Sequence, residues 1–368
     1  MNLDYKENKH VTIVITEACN LNCSYCYEQY KTKRKMPLEL AKKIIDDEMN
    51  SLLPGQDVIF DLFGGEPIIA FDTIKALVEY ALEKKYMEHC FFFATTNGTL
   101  IHGEIAKWLE EHKDYIWMGL SLDGTKEMHD INRSHSFDDI DLAFFAKNYP
   151  TQDIKMTISL ESLPHLADGV IFCHQSGFGV SCNLAYNIDW SDPKNEEILK
   201  RELNKLIDFY LANPNYNPCS LLSGALGGVC NDRDKPLPRL CGSGLTMVAY
   251  DVEGNRYPCQ FFMPNSIGEK AKKWGEIEIP KLTPKEILDD KCQDCVVKSI
   301  CMICYGANYA ATGSVFKKDD NMCRLSKIIF KARSYFQGKQ YELGQLGKMS
   351  EEEKTRLLKA ILIIQREL

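Results

Sequence analysis

The sequence predicts an α/β protein in which parallel β/α units come first and a cysteine-dense, loop-rich region with terminal helices comes last. Two observations carry this. Apolar runs at 10–16, 58–63, 91–96, 115–122, 154–160 and 180–186 alternate with amphipathic stretches at 37–51, 72–86, 103–112, 138–147, 163–175 and 194–212. Strand followed by helix, repeated, builds a parallel sheet with right-handed crossovers. From about residue 213 that periodicity fades, and Cys219, Cys230, Cys241, Cys259, Cys292, Cys295, Cys301, Cys304 and Cys323 crowd into a segment of turns. Six β/α units are too few for a closed eight-stranded barrel, so a partial open barrel and a doubly wound sheet both fit.

The boundaries follow the composition. Residues 213–218 form a turn cluster and 222–228 are rich in small side chains, while 322–337 and 349–366 read as helices. The second of these carries Leu357, Leu358, Ile361, Ile363 and Ile364 as a broad apolar stripe. Three domains are expected: 1–215, 216–325 and a helical extension, 326–368. Hydrophobic residues at 45% and charged residues at 26% allow a packed core. A net charge of −8 argues against a broad nucleic-acid or membrane footprint. Lys31, Lys33, Arg34 and Lys35 make a local basic patch, read as a solvated loop. The polar start and the short first apolar run predict a cytoplasmic chain without a membrane span. Disulfides are rare in that compartment, so 15 cysteines at tight spacings point to metal.

Directly after the first predicted strand stand Cys19, Cys23 and Cys26, a C-x3-C-x2-C pattern. Three thiolates can ligate three irons of a four-iron cube and leave the fourth open to chelate a small molecule. A loop after a strand lies at the face of a β/α barrel where active sites collect. Zinc would need a fourth ligand nearby. The second strand ends in Gly64, Gly65, Glu66 and Pro67, where glycines allow a close backbone approach and Glu66 can receive an ammonium group. Asn97, Ser121 and Asp123 put amide, hydroxyl and carboxylate groups on the same rim. His129, Asp130 and Arg133 follow, and Arg133 can clamp a carboxylate or form a loop salt bridge. Thr157 and Ser159 are weaker candidates on the fifth strand.

The three-cysteine motif, with Tyr25 just before its last cysteine, resembles that of radical S-adenosylmethionine (SAM) enzymes. The resemblance implies a partial (β/α)6 TIM-like barrel. It also implies a [4Fe-4S] cluster on Cys19, Cys23 and Cys26, and reductive cleavage of SAM to methionine and a hydrogen-abstracting 5′-deoxyadenosyl radical. Tyr25, Gly64, Gly65, Glu66, Pro67, Asn97, Ser121, Asp123 and Arg133 would then contact or flank SAM.

The C-terminal cysteines read Cys241-x12-Gly254-x4-Cys259, a gap, Cys292-x2-Cys295-x5-Cys301-x2-Cys304, a gap, and Cys323. This resembles the SPASM domain of radical SAM peptide-modifying enzymes, except that two residues rather than three separate Cys301 from Cys304. It implies two auxiliary [4Fe-4S] clusters, one on Cys292, Cys295, Cys301 and Cys323, the other on Cys241, Cys259 and Cys304 with Cys230 as candidate fourth ligand. Structural zinc is the alternative for these thiolates. Cys90, Cys173, Cys182 and Cys219 are expected to pack as small hydrophobes.

The resemblance implies a peptide substrate and a flavodoxin- or ferredoxin-type reductant. In sulfatase-maturating relatives an Asp follows the second SPASM cysteine as a base, whereas Gln260 stands here and cannot take a proton near neutral pH. The expected activity is therefore maturation of a ribosomal peptide by oxidative crosslinking, with a thioether first. Formylglycine formation of the sulfatase-maturating type, a small-molecule dehydrogenase and a non-enzymatic iron–sulfur protein are the alternatives. The first strand begins near residue 10, so leader recognition would fall to a separate leader-binding protein, the cluster domain or the C-terminal helices.

Overall fold

The computed structural model describes residues 8–231, 241–271 and 289–368. Two compact units emerge from the packing: Met1–Leu122 with Arg133–Ile154 and Cys241–Lys281, and Asp123–Asn132 with Lys155–Leu240 and Leu282–Leu368.

In the first unit, strands β1 (Lys9–Thr16), β2 (Val58–Gly64), β3 (Cys90–Thr96) and β4 (Ile116–Leu120) alternate with helices α1 (Leu38–Asn50), α2 (Phe71–Glu83) and α3 (Gly103–Glu111). Adjacent strands pair in parallel, as Ile13 with Leu62 and Phe92 with Ile116. The order β4-β3-β2-β1 is sequential, without the reversal that marks a doubly wound sheet. The architecture is a partial β/α barrel. β1 is covered on both faces and paired on both edges, and its residues from Val11 to Thr16 are all buried, as a central parallel strand requires. Its far neighbour comes from beyond residue 213. β7 (Met247–Tyr250) lies parallel to β1, and β8 (Arg256–Tyr257) turns back antiparallel to β7. This hairpin, not anticipated from the sequence, sets Cys241 and Cys259 in the same unit as Cys19. Gly254 supplies its turn at φ +83, with Asp251 Oδ1 accepting from the amides of Glu253 and Asn255 at 2.9 Å each.

The second unit holds α4 (Lys126–Asn132), β5 (Ile154–Ile158), α6 (Leu166–Gln175), β6 (Val180–Leu184) and α7 (Lys194–Ala212), while α5 (Leu142–Asn148) belongs to the first. Then come α8 (Tyr305–Thr312), α9 (Asp320–Glu342) and α10 (Glu351–Glu367). Both terminal helices fall where the periodicity predicts, α9 being longer; α4 and α8 are additions. α10 buries Leu357, Ala360 and Ile364 against Val296, Val297 and Phe330, so the cysteine-rich segment has an apolar floor after all. Among the described residues no helix is long and apolar enough to cross a membrane. Cys90, Cys173, Cys182 and Cys219 are buried in the core.

Candidate functional site

The loop after β1 is closed at its base. Met36 N donates to Ile15 O (3.0 Å) and Glu17 N to Arg34 O (2.9 Å). Arg34 also grips the Glu17 carboxylate with two bonds, Nε to Oε2 at 3.2 Å and Nη2 to Oε1 at 2.9 Å. The basic patch is thus not merely solvated: Arg34 is the loop's clasp. Lys31 reaches inward, its Nζ donating to Cys26 Sγ at 3.4 Å.

Lys31 lies near both Cys26 and Cys19, and Cys23 lies near enough to Cys19 to act on its charge. Cys19 Sγ accepts from Leu21 N at 3.4 Å, and Cys26 N donates to Cys23 O at 3.2 Å. Burial pushes the Cys19 thiol up to about 11, partly offset by the Leu21 amide and the Lys31 charge. Donors aimed at sulfur suit thiolates held as ligands. Among the described residues no set of three or more His, Cys, Asp or Glu is arranged to hold a single metal ion. A cube, which gives each thiolate its own iron, fits this donor set better than a lone zinc does.

Gly64 and Gly65 are required by packing rather than by a ligand's approach. A Cβ at Gly64 would lie 2.0 Å from Thr16 O, and one at Gly65 2.6 Å from Ala18 O. The strand end docks on the cysteine loop, with Gly65 N donating to Thr16 O (3.2 Å) and Glu66 N to Ala18 O (2.8 Å). Pro67 then opens a 3-10 turn that Glu66 caps. The Glu66 carboxylate, 1% exposed, accepts from Ile68 N (3.1 Å), Thr96 Oγ1 (2.8 Å) and Asn97 N (2.7 Å). Burial raises its pKa, against those three donors and the charge of Arg133. A carboxylate has about four acceptor sites, so roughly one remains for a cation.

Asn97 serves the loop itself: its Nδ2 donates to Asn20 Oδ1 (2.9 Å), and Asn20 Nδ2 donates to Thr99 Oγ1 (2.8 Å). Ser121 is buried and its amide donates to Thr96 O at 2.9 Å. Asp123 has no exposed surface, and its oxygens accept from Thr157 N (2.9 Å) and Asn132 Nδ2 (3.2 Å). Ser159 Oγ donates to Asn132 Oδ1 at 2.7 Å, continuing that network. The Arg133 guanidinium lies 5.5 Å from the centre of the Tyr25 ring. Just beyond it Ser134 and His135 both adopt positive φ, +58 and +56, and Ser134 Oγ accepts from Asn22 N at 2.9 Å. The motif loop is therefore supported by Asn20 and Ser134, which nothing in the sequence singled out, and by Lys31, read there only as part of a solvated basic patch.

The residues after Cys259 pack on the same loop. Phe261 stacks on Tyr27 with ring centres 4.2 Å apart, and Asn265 Nδ2 donates to Glu28 Oε1 at 2.5 Å. Burial raises the pKa of the Tyr27 hydroxyl, and the Gln260 side chain facing it partly offsets that rise.

In the second unit Cys292, Cys295, Cys301 and Cys323 line one cavity. Burial raises the Cys292 thiol to about 11, and the charges of Cys323, Cys301 and Cys295 add to it, as four converging thiols must. Cys301 Sγ accepts from Lys318 Nζ at 3.2 Å. Cys304 caps α8, its Sγ accepting from Ala307 N at 3.4 Å, and faces a larger cavity of about 440 Å³. The Cys230 thiol donates to Arg356 O at 3.5 Å and lines a surface pocket with residues of α10.

Comparison with known proteins agrees with this geometry. The model of the radical SAM superfamily matches residues 13–149. An uncharacterised protein of Methanocaldococcus jannaschii is 30% identical over 240 residues, 59% of this chain and 80% of its own. A cysteine-type anaerobic sulfatase-maturating enzyme of Clostridium novyi is 24% identical over 322 residues, 77% of this chain and 83% of its own. The solved structure of anSMEcpe with bound AdoMet has a TM-score of 0.72 at 18% identity, covering 95% of this chain and 98% of that one. With a cysteine loop on the first strand of a partial barrel, a docked Gly-Gly-Glu-Pro turn and these matches, the chain belongs to the radical SAM superfamily and is a radical SAM enzyme with a cysteine-rich C-terminal region.

Proposed function

We propose that this protein oxidises a cysteine side chain in a peptide or protein substrate to formylglycine. The observation that carries the reading is the second unit's pair of cavities. Four thiols converge on one, and the neighbouring cavity of about 440 Å³ shares Cys301, Asn308, Lys318, Ser326 and Phe330 with it. That size suits a side chain and its flanking backbone. Ser181, Asn183 and Ser220 offer peptide-pairing groups, and Trp190 and Met302 offer apolar surface. The match to a cysteine-type sulfatase-maturating enzyme spans most of both chains and favours this product over the thioether crosslink expected from the sequence.

In this reading Cys19, Cys23 and Cys26 hold the SAM-binding [4Fe-4S] cluster. Cys292, Cys295, Cys301 and Cys323 hold one auxiliary cluster, and Cys241, Cys259 and Cys304 serve the other. Cys230, bonded toward α10, lies outside that set. When bound, these clusters and SAM supply the one-electron chemistry that turns SAM into a hydrogen-abstracting oxidant and takes up the electron the substrate releases. Glu66, with roughly one acceptor site left, would hold the SAM ammonium and Ser121 would contribute a hydroxyl to the same rim, while Tyr25, Asn97, Asp123 and Arg133 would hold the loops around them. On the substrate, the cysteine β-carbon gives up a hydrogen atom, the thiol a proton, and the pair one electron. Water then replaces sulfur, and hydrogen sulfide leaves. The functional division follows the motifs: barrel to residue 215, cluster domain to 325, helical extension beyond.

A second reading has one observation in its favour. Gln260, a neutral amide, follows Cys259 where a carboxylate base is expected for formylglycine formation. Oxidative crosslinking through the substrate thiol would be the outcome if no base is supplied. The test incubates the anaerobically reconstituted protein with SAM, reductant and a cysteine-containing sulfatase-type peptide, followed by mass spectrometry. Exchange of sulfur for oxygen with loss of two hydrogens, and an aldehyde trapped by hydrazine, is expected. Loss of two hydrogens alone would favour the crosslink. SAM cleavage with no change in any peptide would sink both.

A further inference from the structure

The cavity lined by Cys292, Cys295, Cys301 and Cys323 is also lined by Lys291, Lys298, Lys318 and Lys327, against one carboxylate, Asp289. Lys291 is neutralised by ion pairs to Asp289 and Asp320. Lys318 is different. It is 9% exposed, and among the described residues it has no carboxylate partner. Its ammonium donates to Cys301 Sγ at 3.2 Å and to Ser326 Oγ at 3.3 Å. Ser326 in turn donates its own proton to Met322 O at 2.6 Å, so it meets Lys318 as an acceptor. Lys291 Nζ donates to the Lys318 carbonyl at 2.6 Å, and Asp319 caps α9 with its side chain accepting from Met322 N, so the backbone on both sides is fixed.

A buried ammonium is costly unless an anion faces it. Here the partner is a cysteine sulfur, so the counter-charge the site is built for is the Cys301 thiolate in its ligated form. A fixed positive charge at a ligating sulfur favours the more negative, reduced state of a cluster. The cysteine loop after β1 differs. There too a lysine meets a sulfur, Lys31 at Cys26, but carboxylates stand close to that loop's cations: Glu28 by Lys31, Glu17 by Arg34 and Glu66 by Arg133.

We propose that Lys318 is a positioning residue that raises the reduction potential of the cluster held by Cys292, Cys295, Cys301 and Cys323 above that of the cluster on Cys19, Cys23 and Cys26. The inference rests on the assignment of an auxiliary cluster to those four cysteines. The test is an anaerobic redox titration of the full-length reconstituted protein, followed by electron paramagnetic resonance, for the natural chain and for Lys318→Met, Lys318→Gln and Lys318→Arg. Removing the charge should lower the midpoint of the auxiliary signal only. Arg should restore it, and the midpoint of the cluster on Cys19, Cys23 and Cys26 should stay in place in all three variants. Gln keeps a donor at the sulfur, so a drop in Gln as large as in Met assigns the effect to charge. An unchanged midpoint in both neutral variants overturns the inference. If neither neutral variant takes up iron while Arg does, Lys318 serves assembly and the inference also falls. A natural chain with no second cluster signal overturns the assignment beneath it instead.

Discussion

At the scale of single residues, the first site is held by steric and hydrogen-bonding demands that leave little tolerance. Gly64 has no room for a methyl group, because the carbonyl of Thr16 occupies the place a Cβ would take. Gly64→Ala should force β2 off the cysteine loop, destabilising the fold by roughly 3 kcal/mol in urea denaturation, and lower the iron retained per chain. Glu66 is subtler. Gln has the same shape but presents an NH₂ to a pocket whose three protein groups are all donors. Glu66→Gln should cost about 1 to 3 kcal/mol and weaken SAM binding, read by calorimetric titration, while the iron content stays at the natural level. Unaltered SAM affinity in that variant would remove Glu66 from the ammonium site.

At the scale of elements, the terminal helix α10 supports the second site through the apolar cluster beneath it. Its buried face packs on Val296, Val297 and Phe330, and Cys295 and Cys301 lie against the same cluster. The helix begins with a reciprocal cap: Glu353 N donates to Ser350 Oγ (3.2 Å), and Ser350 N donates to Glu353 Oε2 (2.7 Å). Ser350→Ala should cost about 1 kcal/mol. It should also change the pH response. The Ser350 amide and hydroxyl hold the Glu353 carboxyl below its usual value. A carboxyl depressed in the folded state stabilises above its unfolded pKa, and that contribution is lost as pH falls through the folded value. The natural chain should therefore lose more stability than the Ala variant on acidification below about pH 4, measured as thermal midpoints across a pH series. Parallel curves for the two proteins would show that the cap does not act through Glu353.

At the scale of the whole molecule, the proposed clusters predict that the cysteine-rich segment depends on metal more than the barrel does. β1 to β4 bury continuous apolar faces, whereas residues 289–304 have one single-turn helix and rest on thiols facing one cavity. Removing iron with a chelator under anaerobic conditions should leave the far-ultraviolet circular dichroism nearly unchanged but open 289–323 to limited proteolysis first. Equal protection with and without iron would contradict that role. Much of this molecule was legible in the chain alone. Apolar periodicity located β1 to β6 and most of the helices, because a local pattern records which face of an element is buried. Cysteine spacing singled out Cys292, Cys295, Cys301 and Cys323, which line one cavity, because tight spacings confine side chains whatever the surrounding fold. Other features needed distant segments to meet. The β7–β8 hairpin joins β1 across more than two hundred residues, and no local period announces a pairing partner. Ser134 under Asn22, Lys31 at Cys26 and Lys318 at Cys301 look like ordinary polar residues in sequence, since what distinguishes them is the neighbour supplied by another part of the chain. Gly64 and Gly65 were legible as glycines required for a close approach; that the approaching group is the protein's own loop was decided only by tertiary packing.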